Sequence, residues 1–197
     1  MDHPLLAPDL FDILVVRELR KAGFDVARSR PVRERRVSDD GDDYDLDLLV
    51  RLRLTDAERV ALIGCRQRSA AVGEDVLRDL VERLPDHEAD AALVFATADF
   101  TAGAIAYARD EGVALLRVVD GKRYHDTGGW GVKGHYPAWL PEHVALLVSA
   151  DRAGFVTTRP LAAGQWRTIL DHLATPHETH PTPPPDCAIT NPPPPSP

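Results

Sequence analysis

The pattern of hydrophobic and polar positions changes its period within the first fifty residues. Apolar residues keep a helical period from Asp9, the predicted N-cap, to the end of the helix at Gly23. Apolar side chains then alternate with Asp45 and Asp47 over residues 45–50, which predicts a strand with one acidic edge. The chain therefore opens with a helix that is followed by strands.

Alternating strands and helices are predicted for the next seventy residues. The predicted strands are 24–27, 60–66, 91–97 and 113–119, and the predicted helices are 73–84, ended by Pro85, and 101–111, ended by Gly112. Helices that connect strands in this order indicate an α/β fold. We expect an α/β sandwich in which a mixed central sheet is flanked by helices.

The composition of the chain changes after residue 120. Residues 121–174 begin with a glycine-rich and aromatic stretch, expected to be a loop, and continue as a small C-terminal extension with strands at 144–148 and 155–158 and a helix at 165–173. Residues 175–197 hold ten of the 17 prolines, so we expect a disordered tail. The predicted division is a core at 1–120, the extension at 121–174 and the tail at 175–197.

Charge and cysteine content bear on location and partners. The formal net charge is −8, which is unusual for a protein that binds nucleic acid. Residues 28–36 nevertheless carry five arginines and one glutamate, and residues 39–47 carry six aspartates. The basic segment is suited to phosphate and the acidic one to cations, although a solvated hairpin is an equal alternative. Without an apolar span or a visible signal peptide, we expect a cytoplasmic location and no membrane association.

Four short segments together resemble a known nuclease core. They are DLLV at 47–50, ALIGCR at 61–66, VGEDVLRDL at 72–80 and LVFATADF at 93–100. This framework resembles the Mrr-like branch of the PD-(D/E)xK restriction endonuclease superfamily over about residues 9–120. The resemblance implies a restriction endonuclease-like fold and a hydrolase that cleaves DNA with Mg²⁺, in defence against foreign DNA.

The resemblance also assigns roles to individual residues, and two of them depart from the family pattern. Asp47 takes the place of the acidic metal ligand, and Asp45 projects from the same face. The acidic residue or glutamine and the lysine of the family fall on Gly64 and Arg66. Asp47 and Arg66 are therefore the candidate catalytic residues, and Asp45 and Asp47 the candidate metal ligands. Gly64 supplies no ligand, and a guanidinium keeps its proton and cannot act as a base.

Several residues could compensate for this degenerate site or serve another purpose. Asp12 and Glu74 are candidate relocated metal ligands. The alternative is an inert salt bridge between Asp47 and Arg66 across the site. The candidate nucleic-acid-binding residues are Arg33, Arg35, Arg36 and Arg68.

Two functions from different classes remain open on the sequence. The first is a Mg²⁺-dependent DNA endonuclease. The second is a catalytically inactive nuclease-fold module that binds nucleic acid or a protein partner. The degenerate positions and the acidic net charge favour the second, whereas the paired aspartates and the basic segment favour the first. The sequence leaves open whether the chain is an enzyme and which oligomeric state it adopts.

Overall fold

The computed structural model describes residues 4, 6–37, 43–53, 58–128, 131–151, 153–161, 163, 164 and 169. The helices are α1 (Pro8–Ala22), α2 (Glu74–Glu82), α3 (Ala102–Glu111) and α4 (Gly121–Gly128), with a short 3-10 turn at Pro85–His87. The strands are β1 (Asp25–Arg36), β2 (Tyr44–Arg53), β3 (Glu58–Gln67), β4 (Ala91–Ala96), β5 (Ala114–Asp120), β6 (His143–Ala150) and β7 (Val156–Pro160).

The strands form one mixed sheet in the order β1-β2-β3-β4-β5-β6-β7. The central strands β3, β4 and β5 are parallel and are joined through α2 and α3, whereas the outer pairs are antiparallel. Residues of α1 pack in the core on one face of the sheet, and residues of α2 and α3 pack on the other face. The predicted α/β sandwich with a mixed central sheet is confirmed.

Local sequence signals explain where the helices begin and end. α1 begins at Pro8, whose fixed φ suits the first helical position, and Asp9 lies in the first turn instead of serving as the predicted N-cap. Gly23 ends α1 in the left-handed region, with φ of 104°. In α3 the Thr101 side chain accepts a hydrogen bond from the backbone N–H of Ala104 at 3.1 Å.

β2 is buried on both of its faces, and this decides where its acidic residues point. Leu46 and Leu48 lie in the core on the α1 side, whereas Leu49 lies in the core on the α2 side. Because side chains alternate along a strand, Asp45 and Asp47 must share the α2 side with Leu49. The acidic residues therefore enter the interior of the sandwich and do not form a solvated edge.

The segment after residue 120 differs from its predicted loop. Residues 121–128 form α4, and the side chain of Asp120 accepts a hydrogen bond from the backbone N–H of Arg123 at 2.8 Å, as a helix N-cap does. Glycines at both ends of this helix concealed it in the sequence. β6 and β7 extend the same sheet.

The predicted tail at 175–197 lies outside the described residues, as does the predicted helix at 165–173 apart from residue 169. Within the described ranges, none of the helices is long and apolar enough to cross a bilayer.

Gly121 forms the junction of β5 and α4, and its substitution tests this packing. A Cβ at Gly121 would lie 1.8 Å from the backbone oxygen of Pro141, so a main-chain segment would have to move. We expect Gly121→Ala to lower the free energy of unfolding in urea by about 1–3 kcal/mol or more. The control Gly103→Ala, whose Cβ has only ordinary contacts in α3, should raise it by about 0.5–1 kcal/mol. Equal effects would contradict the described packing.

Candidate functional site

The pairing of β2 with β3 brings the candidate residues together on one face. Asp45 lies opposite Arg66, and Asp47 lies opposite Gly64, as the alternation of the two strands predicted. Cys65 points to the other face and is fully buried in the α1-side core, where burial raises the pKa of its thiol. Cys65 is therefore a core residue, and the candidate site lies on the α2 side of the sheet.

Asp47 is completely buried between two arginines. Arg66, which is only 1% exposed, donates from Nη1 to Asp47 Oδ1 at 2.7 Å. Arg83 Nη2 lies 2.7 Å from Oδ2, but the contact lacks hydrogen-bond geometry, so charge attraction holds this second oxygen. A buried carboxylate needs such compensation because its charge has lost the hydration it had in water.

Asp45 is also buried and is surrounded by arginines in the same way. Arg68 Nη2 donates to Oδ1 at 2.6 Å, and Arg35 Nη2 donates to Oδ2 at 2.8 Å. Arg66 Nε is also 3.4 Å from Oδ1. The hydrogen bond that Arg35 donates to Asp45 raises the pKa of the Arg35 guanidinium. Each carboxylate oxygen of the two aspartates thus faces at least one guanidinium nitrogen.

Gly64 makes room for the Arg66 side chain. A Cβ built at Gly64 would lie 2.9 Å from Arg66 Nη2, a distance that real Cβ atoms essentially never show, and 3.0 Å from Cζ, so the guanidinium would have to shift. The guanidinium therefore folds back over the glycine. The two departures from the family pattern depend on each other. Gly64 has no side chain, and the Arg66 guanidinium fills the space that a side chain there would occupy.

The ion pairs continue outward to the edge of the sheet. Asp79 on α2 contacts Arg83 at 3.3 Å and Arg33 on β1 at 2.9 Å. Arg83 caps the C-terminus of α2, which ends two residues before its predicted end. Arg83 was not among the site residues predicted from the sequence, although its spacing of four from Asp79 is typical of helical ion pairs. A chain of charges thus connects β1 to β3 through the end of α2.

The other candidate residues lie away from these aspartates. Asp12 is on α1, on the opposite side of the sheet, and accepts a hydrogen bond from the Ser29 hydroxyl at 3.0 Å. Glu74 is in the first turn of α2 and pairs with Arg78. Arg36 is exposed and lies opposite Tyr44 on the α1 side. The structure therefore brings Arg33, Arg35 and Arg68 to the site, and places Asp12, Glu74 and Arg36 elsewhere.

Comparison with protein families agrees with this architecture. A family model described as a restriction endonuclease matches residues 6–125, which is more than half of the chain. The chain belongs to the Mrr-type restriction endonuclease family. No curated protein and no solved structure matches it. Restriction endonucleases generally use a divalent metal ion, typically Mg²⁺.

The residues of this Mrr-type domain do not fit a Mg²⁺ ion in the observed arrangement. Mg²⁺ takes oxygen ligands in a nearly ideal octahedron. Gly64 offers no oxygen, and the cationic Arg66 lies where a metal bound by Asp47 would have to sit. Within the described residues, no group of three or more histidine, cysteine or acidic side chains could hold a metal ion. The guanidinium groups supply the positive charge that compensates these carboxylates.

Removal of the buried charge of Asp47 should destabilise the protein far more than removal of the exposed charge of Asp79. Asp47→Asn leaves the buried Arg66 with hydrogen bonds to backbone carbonyls and one longer ion pair, the 3.4 Å contact to Asp45, so we expect a loss of about 3–5 kcal/mol in the free energy of unfolding. Asp79→Asn removes an aspartate that is 52% exposed and should cost about 0–1 kcal/mol. Urea denaturation of both variants measures the difference. Similar losses would mean that the Asp47 pair has little energetic weight.

Proposed function

We propose that this Mrr-type domain binds DNA without a metal ion and does not hydrolyse it. The observation that carries the proposal is the fully buried Asp47, whose oxygens both face arginines. Phosphodiester hydrolysis in a metal-dependent site needs a carboxylate-bound ion and an activated water. Here the carboxylates are already neutralised, and Arg66 cannot accept a proton.

The charge at the site supports an anionic ligand. Four arginines surround two aspartates, which leaves an excess of two positive charges. Arginine forms bidentate hydrogen bonds with phosphate, so this local excess suits the backbone of DNA. The overall net charge of −8 does not oppose this, because contacts at short range depend on the local charge distribution.

The wider biological role rests on the family alone. Defence against foreign DNA is a property implied by membership among restriction endonucleases, and it stays a prediction for this chain. A non-cleaving domain in such a system requires a separate catalytic subunit if foreign DNA is to be cut. We therefore extend the proposal to a protein partner that supplies the nuclease activity, and to a location in the cytoplasm.

A plasmid assay combined with a binding assay tests the proposed function. We expect no nicking of supercoiled plasmid in Mg²⁺ or Mn²⁺. We expect fluorescence anisotropy to show DNA binding in EDTA that is no weaker than in Mg²⁺ at matched ionic strength, because phosphates would contact arginines directly. Asp47→Ala should leave the absence of nicking unchanged. Metal-dependent cleavage by the wild type that Asp47→Ala abolishes and Asp79→Ala retains would overturn the proposal.

Restoration of the family pattern gives a second test of the same idea. Gly64→Glu combined with Arg66→Lys adds a carboxylate and replaces the bulky guanidinium with a compact ammonium. We expect Mg²⁺ to raise the melting temperature of this double variant, since a ligand that binds only the folded state stabilises it. Weak plasmid cleavage should accompany that rise. Gly64→Glu alone, which forces a Cβ against Arg66, should show neither response. An identical Mg²⁺ response in the wild type would contradict the steric argument.

A further inference from the structure

β1 is an edge strand with an unusual distribution of charge. Four arginines of β1 point to the α2 side of the sheet. They lie opposite every second residue of β2, which also points to that side. The pairs are Arg28 with Arg51, Arg30 with Leu49, Arg33 with Asp47, and Arg35 with Asp45. Those β2 positions belong to the face that holds the candidate site. We call these four residues the arginine row. The row starts on the open surface of the sheet and ends at Asp45.

Two β-bulges create the arginine row. The register between β1 and β2 shifts between Val26 and Arg28, and again between Pro31 and Arg33, so that Ala27 and Val32 are extra residues. Each extra residue reverses which side chains face α2. Without the second bulge, Arg33 would lie opposite Leu46 on the α1 side. The bulges thus bring arginines of even and odd number onto one face.

The two ends of the row differ in their partners. Arg33 contacts Asp79, and Arg35 contacts Asp45, so the inner end joins the ion pairs of the site. Arg28 and Arg30 are exposed and have no ion pair or hydrogen-bonded side-chain partner within the described part of the chain. The outer end therefore presents two uncompensated positive charges to solvent.

On the other side of the same edge, which also carries Arg36, the charged residues of the pocket beside α1 are acidic. Asp9, Asp12 and Glu34 line a pocket of about 430 Å³ between α1 and β1. A polyanion would be repelled there. Four arginines lie on the α2 side and an acidic pocket lies on the α1 side, so a nucleic acid backbone is favoured on the α2 side, which leads to the candidate site.

We propose that the arginine row is a surface for the backbone of duplex DNA, along which phosphates contact the residues from Arg28 to Arg35, next to Asp45 of the candidate site. This inference rests on the proposed DNA binding and names its surface. The row spans six residue steps of β2, or about 20 Å at about 3.3 Å per residue. That length corresponds to about six nucleotides of one DNA strand at about 3.4 Å each. Arg28 and Arg30 are the new contact residues, since they do not belong to the ion pairs of the site.

The test compares two double variants of the full chain. Arg28→Gln with Arg30→Gln removes the outer end of the row. Arg20→Gln with Arg59→Gln is the matched control, because both arginines are exposed and Arg59 lies on the α1 side opposite Leu52. Fluorescence anisotropy with a labelled 30-base-pair duplex, in EDTA and over a series of KCl concentrations, gives the affinity and its salt dependence.

We expect the row variant to bind at least about tenfold more weakly at 0.1 M salt, and its slope of log K against log salt to be shallower by about 1.8, or about 0.9 for each lost phosphate contact. Arg28→Lys with Arg30→Lys should keep the wild-type slope, since charge is retained. Unchanged affinity and slope in the glutamine variant, or an equal loss in the control, would overturn the proposed surface while the proposed DNA binding stands. Absence of binding by the wild type would overturn both.

Discussion

A single buried carboxylate, held by arginines from two different elements, governs the arrangement of this protein. Asp47 has no exposure to solvent, so its charge is tolerable only while Arg66 and Arg83 remain in contact. Arg66 can reach it because Gly64 has no side chain. Arg83 fixes the end of α2 against β2. One electrostatic requirement thus explains a glycine on a central strand and the docking of a helix end.

The proposed loss of metal chemistry is compatible with acidic residues in the interior of the fold, because arginines compensate their charge. In a metal site, carboxylates are compensated by a cation that exchanges with solvent. Here the compensation is covalently part of the chain, through guanidinium groups that keep their charge at any physiological pH. Under the proposed function this exchange reverses the preference of the site, because a surplus of fixed positive charge favours phosphate. Asp45 and Asp47 then act as positioning residues for the arginines that surround them.

Much of the fold followed from periodicity, whereas the completed site did not. The alternation of residues 45–50 and 60–66 predicted the shared face of Asp47 and Gly64, because both strands are regular there. Arg83 was missed because it reaches Asp47 from 36 residues away, a distance in sequence that no local pattern encodes. The arginine row was missed for a different reason. A period of two places Arg30 and Arg33 on opposite faces, and only the bulge at Val32 reunites them.

Protection of an exposed sheet edge is the simplest alternative explanation for charges and bulges on β1, because edge strands otherwise pair with other chains. Charges on either face of β1, and bulges at any position in it, would protect the edge from such pairing. Edge protection does not account for four arginines on one face, nor for an acidic pocket on the other. It also leaves unexplained why Arg33 and Arg35 extend the row into the ion pairs of the site. A row of like charges on one face that continues to the ion pairs of the site is the property that a bound polyanion requires, and edge protection then follows from the same residues.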